Sequence, residues 1–312
     1  MVSFRSASAQ AAHALSHANS IGKSRHAAKA EGKAEGRIFS LGTQRTYAQA
    51  VTQAAAWYAE QGKAGREGFD RHVARMTAEQ AREYLDTRAA QVGQKQLDLD
   101  RQALQTALGI TLERQRSAAE KADRLATQSR AYTSAQVAAI VARQSPPNGL
   151  ATEVAAAAGL RAHELATLRP AAEQPASAHR AFREDRFTGR ESGARYTVIG
   201  KGGLVREVSI PAALAQRLEA TRLAEPRIVT DRGIRYEQSY ALGKGQAWSQ
   251  SFTTASQEAL GWSAGAHGLR HGYAQDRMGQ LQQAGYSWQG AKELVSQEMG
   301  HFREDVTSTY LR

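Results

Sequence analysis

The chain has 312 residues, 41% of them hydrophobic and 23% charged, a balance that suits two folded cores and excludes a disordered protein. Lys and Arg number 41 against 30 acidic residues, and the resulting +11 favours a polyanionic partner, nucleic acid first. With no cysteine, disulfides and thiolate metal sites are excluded and a reducing cytoplasm is the expected setting; no apolar run of about 18 residues or secretory leader is present, so no membrane partner is expected.

Residues 1–37 are rich in Ala, Ser, Gly, Lys and His. Arg5, Lys23, Arg25, Lys29, Lys33 and Arg37 against Glu31 and Glu35 leave +4, which fits either a solvated basic tail or an arm that contacts DNA. His13 and His17 share a helical face but have no third ligand nearby, so a chance pair is expected and not a metal site.

A helical domain follows, over 38–125. Tyr47, Val51, Ala54, Ala55 and Tyr58 recur along one buried helix face that Gly62 is placed to end. Thr77 with Gln80 forms a capping box ahead of Ala81, Tyr84, Leu85, Ala89 and Val92; Leu97, Leu104 and Leu108 mark another helix before Gly109. A charged stretch, Glu113 to Arg130, leads to a second domain over 131–312.

That domain opens on a second capping box, Thr133 with Gln136, ahead of Val137, Ile140 and Val141. Pro146, Pro147 and Gly149 interrupt the pattern, an Ala-rich helix runs to Gly159, and a fresh helix is expected near Arg161. Residues 195–210, RYTVIGKGGLVREVSI, read as a β-hairpin, with β-branched runs flanking Gly-Lys-Gly-Gly. After Pro211 the pattern is helical to the end, with loops around Asp231–Gly245. The expected fold is mainly α with one small antiparallel β-sheet.

Five features of the second half carry chemistry: Arg161 in GLRAHELATL, Lys201 at the hairpin tip, His267 and Arg270 in AHGLRHGYA, His301 in QEMGHF, and Tyr310 nine residues later. Alone, each reads blandly: a surface arginine, a salt-bridged helix start, a packed tyrosine. In this order they resemble the boxes of tyrosine site-specific recombinases, the phage-integrase family, over residues 133–312. Residues 40–125 are similar to the helical, SAM-like core-binding domain that precedes the mixed α/β catalytic domain in that family.

The resemblance implies a DNA recombinase that integrates or excises a mobile element through a 3′-phosphotyrosine at Tyr310. Attack on a phosphodiester builds negative charge on its non-bridging oxygens, and catalysis is mainly positioning and stabilisation of that charge. In the family's scheme Arg161 and Arg270 supply this charge in place of a metal, since guanidinium stays protonated and grips two oxygens. His267 and His301 add hydrogen bonds, and His267 helps to take the phenol proton, because a phenol titrating near 10 is a poor nucleophile at neutral pH. Lys201 is the general acid for the leaving 5′ oxygen, and Glu164 buttresses its neighbours. No cofactor, metal or ATP is implied.

The implied partners are double-stranded DNA at specific sites, a homotetramer on paired sites, and a DNA-bending or directionality factor. The implied setting is a bacterial cytoplasm, at the nucleoid when DNA-bound. A catalytically silent DNA-binding accessory protein and a topoisomerase are the competing readings.

Lys244, in a second Gly-Lys-Gly, competes with Lys201 but lacks a preceding strand. His163 and His271 read as supporting residues, and Trp248, Trp262 and Trp288 as packing residues. Only Leu311 and Arg312 follow Tyr310, so coupling of active sites through a longer tail, as in many family members, is not expected. Met299 stands where the family more often has leucine.

Overall fold

The computed structural model describes residues 6–23, 28–29, 31–119, 129–200 and 202–311. Lys201 therefore lies outside the described residues, as do Arg5 and Arg25 of the basic segment. The chain divides into two compact units at Arg124–Leu125.

The first unit is helical. Helix α1 spans Ala7–Leu15, α2 Leu41–Lys63, α3 Ala78–Ala89 and α4 Gln94–Leu108. The face of α2 formed by Ala50, Val51, Ala54, Ala55 and Tyr58 is buried, and small side chains there let neighbouring helices approach closely. Helix α3 starts at the Thr77–Gln80 box, each side chain accepting from the other's backbone N–H at 2.9 and 3.3 Å.

The basic N-terminal segment is not, in its described part, a detached tail. Ala11, Ala14, Leu15 and Ala18 enter the same core as α2 and α4, and Ile38 joins them. Gln10 fixes this docking: its amide donates to the Arg71 carbonyl at 3.0 Å and accepts from the Val73 N–H at 2.9 Å. Alanine-rich composition hid the helix, because small apolar residues carry little hydrophobic signal.

In the second unit α5 spans Ser134–Val141 and α6 Pro146–Ala158. The two prolines open α6 and do not interrupt it, since the first turn has no intrahelical N–H bonds to lose. The helix expected near Arg161 is only a 3₁₀ turn, Glu164–Ala166. Strands β1 (Arg169–Pro170), β2 (Ala194–Ile199) and β3 (Val205–Ile210) form an antiparallel sheet in that order, with Val198 opposite Arg206. At the hairpin end the Gly200 N–H donates to the Leu204 carbonyl at 2.7 Å.

Helix α7 (Ala212–Glu219) leads to a second hairpin, β4 (Arg222–Asp231) and β5 (Ile234–Tyr240), where a helical and looped stretch is expected. Strand β4 is largely solvated and burial in β5 falls on three consecutive residues, 238–240, so no alternation reaches the sequence. Arg232 and Gly233, at φ 51° and 80°, make the tight turn. Asp231 then accepts from the Gln246 N–H at 2.9 Å, holding the hairpin on the start of α8 (Gly245–Leu260).

Helices α9 (Gly268–Gln283), α10 (Trp288–Glu298) and α11 (Glu304–Ser308) complete the unit. Its main core gathers Ile140, Val154, Val198, Ile210, Trp248 and Phe252 from helices and sheet alike. Trp248 is a core residue whose Nε1 donates to Thr152 Oγ1 at 3.1 Å. Trp262 stacks on Tyr132 at 5.2 Å while remaining half exposed, and Trp288 is 53% exposed, so it is not the packing residue expected.

Candidate active site

The residues singled out in the sequence arrive from four directions. Gly159 ends α6 in a left-handed turn, and Arg161 follows it. His267 caps α9 and Arg270 lies in its first turn. His301 follows the turn after α10, and Tyr310 lies in the final 3₁₀ turn.

Tyr310 is 8% exposed, and three imidazoles surround its ring. His271, His301 and His267 lie 4.8, 5.1 and 5.4 Å away between ring centres. Its hydroxyl stands 3.1 Å from His267 Nε2. Burial, reinforced by Arg270 and His271, holds His267 down at about 4. It is therefore neutral at physiological pH, and an unprotonated Nε2 can accept the hydroxyl's proton.

The guanidinium of Arg270 is completely buried beside the ring, with Cζ 5.4 Å from its centre. It donates to the carbonyls of Gly159 and Met299, and Nη2 to His301 Nε2 at 3.1 Å. With Nε2 as acceptor, His301 carries its proton on Nδ1, which faces Thr307 Oγ1 at 3.3 Å. Burial and then Arg270 and Arg161 push His301 down to about 3. Burial also lowers Arg270, to about 10, which leaves it charged at neutral pH.

Under this layer lies Glu164, with no exposed surface. Oε1 accepts from Arg161 Nη1 at 2.7 Å, and Oε2 from the Arg161 N–H and Arg206 Nη2, each at 2.8 Å. Arg270 Nη1 is 3.9 Å from Oε2. Burial alone would raise the carboxyl, but Arg206, Arg270 and Arg161 together hold it far below the usual carboxylate range. The Glu164 carboxylate thus folds back over its 3₁₀ turn to meet the Arg161 N–H.

A cavity of about 320 Å³ opens over this cluster, lined by Arg161, Gly200, Leu204, Arg206, His301 and Arg303 among others. Its wall is thus strongly cationic, a setting for an anion such as a phosphate. Among the described residues no group of three His, Cys, Asp or Glu could hold a metal.

Two members went unremarked in the sequence. Arg206 is 1% exposed and sits on the same strand face as Val208 and Ile210. A charged residue in the inward register of a strand was the available signal. Glu298, just before Met299, is buried with Tyr273 and Arg277, whose Nε donates to it at 2.8 Å. His163 lies outside the tyrosine cluster, its ring 6.2 Å from that of Tyr236. Burial, then Arg227, lowers Lys244, which precedes α8 in an extended conformation.

Neither family models nor curated proteins match the chain. Among solved structures it is similar to XerH site-specific recombinase bound to palindromic difH substrate in a post-cleavage complex. That match has a TM-score of 0.57 and 15% identity over 98% of this chain and 90% of that one. XerH bound to difH substrate in a pre-cleavage complex matches with a TM-score of 0.55 and 16% identity, over 86% and 76% of the respective chains. At these identities the likeness is one of fold: this chain folds as a site-specific recombinase does.

Proposed function

We propose that the protein is a DNA strand transferase of the tyrosine-recombinase type, acting at specific sites to integrate or excise a mobile element. The observation that carries this reading is the Tyr310 hydroxyl 3.1 Å from a neutral His267, beside Arg270 and His301. Few structural tyrosines are ringed by three histidines and a buried arginine.

In this reading the Tyr310 oxygen attacks the scissile phosphorus as its proton passes to His267. Arg161 and Arg270 stabilise the charge that grows on the non-bridging oxygens, and His301, accepting from Arg270 Nη2, orients that guanidinium. The bond to the 5′ oxygen breaks as Lys201 protonates that oxygen, leaving a 3′-phosphotyrosine and a 5′ hydroxyl. Attack by another 5′ hydroxyl reverses the step and reseals DNA, so neither ATP nor a bound metal is required. Strand exchange between two sites calls for four protomers and, where direction matters, an accessory DNA-bending factor.

The test is a nicked suicide duplex built from the DNA that the protein footprints, incubated with chelator and resolved on a denaturing gel. A covalent adduct with the wild type that vanishes in Tyr310→Phe supports the reading. Specific binding without an adduct from either protein overturns it in favour of a silent accessory protein. Relaxation of supercoiled DNA lacking such a site would point to a topoisomerase.

A further inference from the structure

We propose that Arg206 is a positioning residue that takes up the charge of Glu164, so that the positive charge of Arg161 and Arg270 is left to act on the scissile phosphate. The inference rests on the strand-transfer reading above and assigns a third arginine to it.

Three guanidiniums converge on one carboxylate, but they are not equivalent. Arg161 keeps 22% of its side chain exposed and lines the cavity, so it can meet a ligand. Arg206 is 1% exposed, and both terminal nitrogens are held: Nη2 on Glu164 Oε2 at 2.8 Å, Nη1 on the Glu298 carbonyl at 2.5 Å. It cannot turn toward DNA without breaking both bonds.

The two bonds link elements that the chemistry needs together. Arg206 belongs to β3, which pairs with β2 in the first hairpin. Glu164 holds Arg161, and the Glu298 carbonyl lies three residues before His301. Gly300, at φ +71°, passes directly over the stem. A Cβ there would come within 2.9 Å of Arg206 Cδ, so the turn that delivers His301 is shaped to this side chain.

The charge argument sets the role. Without Arg206, the full carboxylate charge of Glu164 would fall on Arg161, bonded at Oε1, and on Arg270, 3.9 Å from Oε2. Both guanidiniums would then be drawn inward and partly neutralised, and less positive charge would face the phosphate. With Arg206 in place the cluster of three arginines and one carboxylate keeps a surplus of two positive charges. That surplus matches the extra negative charge of a phosphoryl-transfer transition state.

The experiment compares single-turnover cleavage of two suicide duplexes by full-length wild type, Arg206→Met, Arg206→Lys and the double variant Arg206→Met with Glu164→Gln. One duplex has the natural scissile phosphodiester. The other carries a methyl group in place of one non-bridging oxygen, which removes the ground-state charge. Loss of clamp charge should slow Arg206→Met by about 100-fold on the diester but under about tenfold on the methylphosphonate. Arg206→Lys should fall between. The double variant, which removes both members of the Arg206–Glu164 pair, should recover about tenfold over Arg206→Met on the diester when rates are normalised to folded protein. Equal losses on both duplexes, an undiminished rate in Arg206→Met, or no recovery in the double variant would overturn the proposal. If wild type cleaves neither duplex, the strand-transfer reading itself fails, which is a separate result.

Discussion

His267 and Tyr310 are 43 residues apart in sequence, yet Nε2 of one stands 3.1 Å from the hydroxyl of the other. The contact is possible because α9 begins at His267 and the chain, after α10, returns its last turn to that helix start. Gln275 of α9 secures the return by donating to the Tyr310 carbonyl at 3.2 Å. The proposed donor and acceptor of one proton are thus brought together by helix packing and by very little local structure.

This pair gives a pH dependence. His267, held at about 4 by burial and Arg270, must be neutral to accept a proton. Cleavage should be insensitive to this group at neutral pH and fall as pH drops through about 4. Stability should fail earlier. Unfolded histidine titrates near 6.5, so between roughly 6.5 and 4 the unfolded state binds the more protons and stability declines with acidification. His301, pushed to about 3, acts in the same direction. Urea midpoints at pH 7.5, 6 and 5 should decrease in that order, and constant midpoints would contradict the assignment.

Glu164→Ala should cost about 3–5 kcal/mol, because Arg206 and Arg270 would be left buried without their carboxylate. Glu164→Gln, which retains the acceptor oxygen, should cost less. Denaturant titration of both variants distinguishes this from an ordinary surface ion pair, whose loss costs under about 1 kcal/mol.

Gly159→Ala should cost more than about 2 kcal/mol. The residue has φ +60°, and an added Cβ would lie 2.6 Å from the Tyr273 ring. Its carbonyl also accepts from Arg270. Cleavage should therefore fall further than the loss of folded protein explains, as a rate normalised to folded fraction would reveal.

Gln10→Ala probes the N-terminal helix. It strands the Arg71 carbonyl and the Val73 N–H, and should destabilise the first unit by about 1–3 kcal/mol. A substitution with no effect on thermal unfolding would mean that the segment is not held in that core.

Much of the site was legible in the chain itself, for a physical reason. Arg161, His267, Arg270, His301 and Tyr310 each lie in a short box, and the resemblance of those boxes, in their order, to a known family is carried by the sequence without any knowledge of their contacts. The capping boxes at Thr77 and Thr133 were visible likewise, since each joins residues only three positions apart. The structure alone decided what depends on contact across the chain. The sequence suggests that Glu164 buttresses its neighbours, but only the structure shows that Arg206, 42 residues on, is one of them. The β4–β5 hairpin has no alternating pattern, because β4 is largely exposed and the burial of β5 falls on three consecutive residues at its end. Helix α1 offered only alanines and one leucine, whose burial depends on a close fit against α2 and not on their own hydrophobicity. Sequence determined which groups could do the chemistry; long-range packing decided which of them share a charge.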